Sequence, residues 1–420
     1  MSLTLLLNLY LGLRILQHLV ESGLSWLNYR YVLQEERRAE AVRVLGIAAD
    51  DMQKTLAYTR DKFRFGQLSG LLQLVLTLLF LAFGGLGWVE NAATALTGSS
   101  SEHPILTGLA FFALLGLLSS ALSLPFSLYY TFVLEEKHGF NRQTLSGFCL
   151  DLVKGAALAS LLGGALLSLL LFVMGSMGSS WWWIAWILLF GFNLLTAWLY
   201  PTVLAPLFNK FSPLEEGELK RSIYELAGKV QFQADGISIM DASRRSEHGN
   251  AYFTGVFGKK RIVLFDTLVK SMQSHEIVAV LAHELGHFKL HHVRWALIRG
   301  FFTTGALLLI LSLCLPLVAF YQAFGLADVS HYGALVVFSL WFGPVGFLLQ
   351  PMGSLISRRN EFAADAFALR HVENRRALGD ALLKLREKSH VMPISHPWYS
   401  AIYHSHPPLL ERLKAMGYIG

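Results

Sequence analysis

Seven apolar segments, each long enough to cross a lipid bilayer as a helix, limit what this chain can fold into. Crossing roughly 30 Å of hydrocarbon takes about 20 apolar residues in a helix. The segments cover residues 3–20, 68–89, 105–133, 155–174, 181–200, 301–324 and 333–352. Charged residues make up 15% of the chain, whereas soluble domains carry about 25%. The sequence therefore predicts a predominantly α-helical membrane protein with seven transmembrane helices.

The first of these segments is the weakest, because Arg14 and His18 interrupt its apolar run. It also lacks the small-residue cleavage site of a signal peptide, so we expect it to remain in the protein as a membrane span.

The distribution of positive charge predicts how the spans are oriented. The loops at 88–106, 175–180 and 321–333 contain no Lys or Arg, whereas the stretch at 28–66 contains eight of them. Lys and Arg accumulate on the cytoplasmic side of membrane proteins. One arrangement satisfies every loop: the N-terminus lies outside, and the larger polar regions lie in the cytoplasm.

We expect two domains. Residues 1–204 would form an N-terminal membrane domain with five transmembrane helices and a cytoplasmic helical loop at 28–66. Residues 205–420 would form a cytoplasmic α+β domain, interrupted by the helices at about 301–324 and 333–352. Within it, the pattern predicts strands at 251–257 and 262–265 joined by a Gly-Lys-Lys turn, and then a helix with Ser274 as its N-cap. A further helix is expected from 358 to about 388.

The segment HELGH contains the residues that most clearly indicate chemistry. His283 and His287 lie four residues apart on a predicted helix, so both imidazoles project from the same face. This spacing suits two ligands of one tetrahedral Zn²⁺ ion. Glu284 lies beside the first ligand, where its carboxylate can act as a general base toward water. The sequence therefore predicts one zinc ion per chain and a zinc metallopeptidase domain at 205–420.

A catalytic zinc site also needs a third protein ligand and an open fourth position. The best candidate is Glu361, with Asp365 one helical turn further on and placed to orient a ligand imidazole. The alternative is a solvated acidic face that pairs with Arg358 or Arg359.

Three other histidines are expected to be bystanders: His291, His292 and His404. A fourth protein ligand from this group would close the coordination position that catalysis needs. The two cysteines, Cys149 and Cys314, fit no disulfide framework and no zinc spacing. Basic residues form no stripe of the kind that binds nucleic acid, so no nucleic-acid partner is expected.

Five motifs in order along the chain give a resemblance to a known family. They are EEKHGFNRQT (135–144), HGNAYFTG (248–255), HELGH (283–287), NEFAAD (360–365) and SHPPLLERL (405–413). In this order they resemble the integral-membrane, zinc-dependent CAAX prenyl endopeptidases. The resemblance implies seven helices around a large intramembrane chamber, with a zincin-like site at the cytoplasmic end. It also implies Glu361 as the third metal ligand.

The resemblance adds two residues to the expected site. It implies that Asn250 precedes an edge strand that binds the substrate backbone by strand addition. It implies that His406 donates to the oxyanion of the tetrahedral intermediate. From the residues alone, Asn250 is equally well explained as a turn residue, and His406 as a surface histidine.

The resemblance also implies a substrate, a prenylated CAAX protein that loses its last three residues. The partners are then a peptide or protein, possibly lipid-modified at its C-terminus, and membrane lipid. The compact length favours the inner membrane of a bacterium, and the endoplasmic reticulum would be the location in a eukaryote. Two alternatives remain: a membrane quality-control metalloprotease of the heat-shock type, and a transporter or receptor with a structural metal.

Overall fold

A computed structural model describes residues 3–98, 100–254 and 260–419 of the chain. Helices make up most of both halves. The first half contains α1 (Leu3–Val32), α2 (Glu35–Leu45), α3 (Ala49–Ala82), α4 (Gly85–Thr97), α5 (Pro104–Tyr129), α6 (Leu145–Leu158), α7 (Gly164–Ser176), α8 (Trp181–Leu199) and α9 (Ala205–Phe208). Wider π-helical turns at Tyr130–Glu135, Ala159–Gly163 and Tyr200–Leu204 continue or join these helices, and a 3₁₀ turn covers Gly178–Ser180.

The second half combines a small sheet with further helices. Its strands are β1 (Phe211–Pro213), β2 (Gly236–Met240), β3 (Ala251–Thr254) and β4 (Arg261–Phe265). Its helices are α10 (Glu218–Lys229), α11 (Asp266–Ser271), α12 (Ser274–Lys289), α13 (His292–Cys314), α14 (Val318–Gln322), α15 (His331–Leu340), α16 (Phe342–His371), α17 (Ala377–Ser389), α18 (Pro397–Tyr403) and α19 (Leu409–Ala415). A 3₁₀ turn covers Ala242–Arg244.

Several helices are long and apolar enough to cross a bilayer. By length and composition, five pass among the described residues: Ala49–Ala82, Pro104–Glu135, Leu145–Ser176, Gly178–Phe208 and His292–Cys314. The pair α15 and α16, bent by 48° at their junction, would make a sixth. A multi-pass helical membrane protein is therefore confirmed. The count of seven remains a prediction, because α1 is not among the helices that pass.

The last apolar segment continues directly into the helix that carries Glu361. The sequence predicted a span ending near residue 352 and a separate helix from 358 to about 388, and this division was wrong. Helix α16 runs unbroken from Phe342 to His371, and the break comes later, where Val372 adopts an extended conformation before α17. The helix continues past Met352 because no proline lies between Met352 and Arg358 to remove a backbone donor.

The sixth segment also differs from its predicted bounds. Helix α13 begins at His292, nine residues before the predicted start at residue 301, and ends at Cys314. Pro316 follows two residues later and has no backbone N–H with which to continue the helical hydrogen bonds. At the other end, only Leu290 and His291 separate α13 from the last residue of α12, Lys289.

The sheet places β3 at an open edge. The strand order is β1-β2-β4-β3, with β2 and β4 parallel and the other two pairs antiparallel. Among the described residues strand β3 pairs on one side only, with Ala251 opposite Leu264 and Thr254 opposite Arg261. Residues 255–259, which include the end of the predicted first strand and most of its turn, lie outside the described residues.

Helix α12 lies at the centre of the second domain and packs against α10, α16, α17 and β3. Its Leu281, Ala282 and Leu285 are buried together with Ile262 and Leu264 of the sheet. The predicted N-cap, Ser274, is instead the first helical residue. Gln273 precedes it and donates its backbone N–H to Oε2 of Glu276 at 2.8 Å, because a carboxylate in the first turn can satisfy the free amides there.

A buried charge pair connects the two domains. Arg386 of α17 is 5% exposed, and it donates to Asp51 and, at 2.7 Å, to the hydroxyl of Thr55, both in α3. Removing one partner of a buried pair leaves the other charge without compensation.

We expect Arg386→Met to lower the free energy of unfolding by about 3 kcal/mol, because Asp51, whose side chain is 16% exposed, would keep only His390 at 3.4 Å as a partner. The drop in melting temperature of the purified protein in detergent measures this. Arg142→Met is the matched control, since its pair with Glu247 is exposed and contributes about 0–1 kcal/mol. Equal shifts for the two variants would contradict the role assigned to Arg386.

Candidate metal centre

The candidate centre forms where α12 and α16 cross at close range. A Cβ atom added to Gly286 would lie 3.0 Å from Cα of Ala364 and 3.2 Å from its carbonyl oxygen. The two backbones are thus almost in contact, as small residues permit. This approach brings the face of α12 that carries His283 within reach of the face of α16 that carries Glu361.

Three side chains converge at this crossing: His283, His287 and Glu361. Their candidate ligand atoms all lie within 4.8 Å of one another. The two Nε2 atoms are 3.2 Å apart, and the carboxylate oxygens of Glu361 lie 3.5 Å from Nε2 of His283 and 3.2 Å from Nε2 of His287. A tetrahedral zinc ion with bonds of about 2.0–2.1 Å separates its ligand atoms by about 3.4 Å. The spacing therefore fits one ion.

A second observation supports the fit. Oε2 of Glu361 is buried and has no hydrogen bond of normal geometry among the described residues, although Nδ1 of His406 lies 2.7 Å away. A buried carboxylate oxygen without a partner is costly unless a cation or donor satisfies it. Two imidazoles and one carboxylate are also a donor set that zinc prefers.

Asp365 contacts His283, one of the three converging side chains. Its Oδ1 lies 2.8 Å from Nδ1 of His283, and Asp365 is 2% exposed. A proton on Nδ1 is then donated to the carboxylate, which leaves Nε2 as the atom that faces the centre.

Arg412 is a residue of the site that the sequence did not reveal. It lies in α19 and donates to Asp365 through Nε at 2.9 Å and through a terminal nitrogen at 2.6 Å. Arg412 is 8% exposed, and the carboxylates of Asp365 and Glu361 raise its pKa even though burial lowers it. An arginine near the C-terminus looks like a solvated cation in sequence. Only its burial against α16 shows what it does.

His292 also belongs near the centre, although the sequence placed it among bystanders. Its Nδ1 lies 3.0 Å from Nδ1 of His287, so it can accept a hydrogen bond from that imidazole and orient it. His291 has left-handed backbone geometry and lines a cavity together with His287. His404 is half-buried and is not one of the three converging side chains.

Glu284 lines a cavity of about 1080 Å³ that His287 also lines. Burial raises the pKa of the Glu284 carboxyl, although the neighbouring imidazoles of His283 and His287 lower it. A carboxyl group with a raised pKa accepts a proton more readily near neutral pH. Glu284 is therefore the titratable group best placed to take a proton from a water beside the metal centre.

The remaining two predicted residues, His406 and Asn250, have different surroundings. His406 is 65% exposed, and its Nδ1 faces Glu361. Asn250 lies immediately before the edge strand β3, where its amide oxygen accepts the backbone N–H of Ala251 at 2.8 Å. The structure thus brings His406 to the metal ligands and Asn250 to the open edge of the sheet.

Comparisons with known proteins agree over most of the chain. A family model described as the CAAX prenyl protease N-terminal region, five membrane helices, matches residues 28–210. The model of peptidase family M48 matches residues 213–419.

Similar full-length proteins share these regions. CAAX prenyl protease 1 of Saccharomyces cerevisiae is 34% identical, over 97% of this chain and 94% of its own length. A CAAX prenyl protease 1 homolog of rice, Oryza sativa, is 38% identical over 88% of each chain. The crystal structure of S. mikatae Ste24p superposes with a TM-score of 0.90 at 33% identity and covers all of both chains.

Replacing Arg412 with methionine should weaken metal binding by about 10–100-fold, because partners of metal ligands contribute that much to affinity. Without the guanidinium, Asp365 would no longer be held against His283. Competition for zinc with a chromophoric chelator measures the affinity. Lys414→Met in the same helix is the control, since its side chain is half exposed. Unchanged affinity in Arg412→Met would show that Asp365 holds its place alone.

Proposed function

The chain belongs to peptidase family M48, and we propose that it removes the C-terminal tripeptide of prenylated CAAX proteins. Membership makes it a metallopeptidase, an enzyme that hydrolyses peptide bonds. The chain itself is a multi-pass membrane protein. The convergence of His283, His287 and Glu361 on one point, at the end of a membrane helix, is the observation that carries the proposal.

One zinc ion per chain would be held by these three residues, with Asp365 orienting His283. When bound, zinc supplies the Lewis acidity that makes a water nucleophilic near neutral pH. Three protein ligands leave the fourth position open, which a catalytic site requires.

Glu284, His406 and the strand beside Asn250 would then have separate roles in peptide hydrolysis. Glu284 accepts a proton from the attacking water and passes it to the leaving amine. His406, beside Glu361, donates to the oxygen that becomes negative in the tetrahedral intermediate, and such a donor contributes about 3–4 kcal/mol. The substrate backbone pairs with the free edge of β3, next to Asn250.

The architecture we propose has seven spans, with α1 as the first. Its Tyr10 is buried against Phe324 and Trp341, at ring-centroid distances of 5.4 and 5.3 Å. Leu9, Leu16 and Leu19 lie on its outer face and are exposed, as lipid-facing side chains would be. The domains would divide at residues 204 and 205, and the helices would surround an intramembrane chamber.

The positive charge at 28–66 supports a catalytic centre that faces the cytoplasm. In a eukaryotic cell the membrane would be that of the endoplasmic reticulum, and a bacterial inner membrane remains a prediction from chain length. The partners would be a protein with a lipid-modified C-terminus and the surrounding lipid.

Glu284→Gln should bind zinc normally but lose at least about 10²–10⁴-fold in kcat, because the amide cannot accept the proton. Metal content by elemental analysis and turnover of a peptide substrate separate the two effects. Glu373→Gln is the control, since its side chain is 90% exposed. Normal turnover in Glu284→Gln would remove this residue from the mechanism.

A farnesylated CAAX peptide should be cleaved after its cysteine by the purified protein, and a chelator should stop the reaction. The same peptide without the lipid should be cleaved far more slowly, because it lacks the apolar group that the enzyme binds. Mass spectrometry of the products gives both the cleavage position and the rate. Equal cleavage of the two peptides would instead favour a membrane quality-control protease.

A further inference from the structure

The cavity that Glu284 lines also reaches two candidate membrane spans. It is lined by Glu284 and His287, by Phe190 and Ala197 of α8, and by Phe302 of α13. Both α8 and α13 are candidate membrane spans. Phe302 lies ten residues beyond the start of α13 at His292, which corresponds to a depth of about 15 Å.

The walls of this cavity are mostly apolar, and a local distortion of α8 contributes to them. The π-helical turn at Tyr200–Leu204 contains Pro201, and both Tyr200 and Pro201 line the cavity. A π-helical turn widens the helix and is frequently found at functional sites. At about 1080 Å³ the cavity is at the upper end of the range for sites that enclose small ligands, about 300–1,000 Å³.

We propose that this cavity holds the isoprenoid chain of the substrate, between α8 and α13. The inference rests on the proposed function. In a CAAX protein the lipid is carried by the cysteine, and this residue lies directly before the bond that would be cut. The first atoms of the lipid must therefore lie about one side-chain length from the bond that Glu284 helps to cut.

The other cavities fit this role less well. An apolar groove of about 320 Å³ lies between α3, α5 and α15, but it contains no residue of the metal centre. A cavity of about 690 Å³ is lined by polar groups such as Glu90, Asp328 and His331. Of these three cavities, the one between α8 and α13 alone joins an apolar wall to Glu284.

The β3 edge supports the same placement. Tyr252 and Phe253 of β3 line the same cavity as Glu284. A peptide that pairs with this edge would therefore run past Glu284 with alternate side chains directed to one face. The lipid on one such side chain could then enter the space between the two membrane helices.

Filling the cavity tests the proposal. Ala197→Trp should raise the KM of a farnesylated peptide by about tenfold or more, since a bulky group in an apolar pocket excludes the ligand that fills it. The rise should be larger for a geranylgeranyl peptide and smaller for a geranyl peptide of the same sequence. Leu195→Trp is the matched control, because Leu195 lies on α8, is 46% exposed and does not line the cavity.

A second variant keeps the test decisive if Ala197→Trp fails to fold. Phe302 is 63% exposed, so Phe302→Ala should fold, and it should raise the KM of the farnesyl peptide several-fold through lost apolar contact. A peptide whose lipid carries a photoreactive group at its end should label α8 or α13.

Several outcomes would overturn the proposal. In Ala197→Trp, an equal rise in KM for all three chain lengths would do so, as would a wild-type KM in Phe302→Ala. A label confined to other helices would place the isoprenoid elsewhere. A phospholipid chain would then be the occupant of this cavity. In each of these cases wild-type cleavage of the farnesyl peptide would still support the proposed function, whereas no cleavage of any prenylated peptide would reject the function itself.

Discussion

The near-contact between the backbones of α12 and α16 is the constraint on which the site depends. At Gly286 there is no room for a side chain larger than a hydrogen atom unless Ala364 moves. Because the two helices approach this closely, Glu361 on one can lie 3.2 Å from Nε2 of His287 on the other. A separation larger by one methyl group would place the carboxylate out of reach of a metal ion with bonds of about 2 Å.

A series of buried polar contacts stabilises this helix crossing. Asp365 fixes His283, Arg412 fixes Asp365, and α19 carries Arg412 from the end of the chain. The residues are almost fully buried, where a charge is stable only when it is paired. The last described helix therefore supports the candidate metal centre, although none of its residues is proposed to touch the metal.

The membrane helices do more than anchor the enzyme. Helix α16 joins the last apolar segment to Glu361 without a break, and only two residues separate α13 from α12. Continuous helix, which is stiffer than a loop, therefore connects the candidate metal centre to the candidate membrane spans. This rigidity would let a substrate with its lipid in the membrane present its peptide at a constant height.

The amino-acid sequence by itself determined the membrane class and the nature of the metal site. Apolar length and the four-residue spacing of His283 and His287 are local properties, and local properties can be read along one segment. The sequence also named Glu361 and Asp365, from their spacing and from the resemblance of motifs. Helix bounds were less accurate, because α13 and α16 continue through residues that look polar and solvated.

Only the tertiary structure decided which distant residues meet. Nothing in the neighbourhood of Arg412 or His292 in the sequence distinguishes them from solvated charges, yet one is bonded to Asp365 and the other contacts His287. The cavity between α8 and α13 likewise joins residues about a hundred positions apart. Such contacts arise from helix crossings, and a crossing depends on the packing of two surfaces, which no single segment contains.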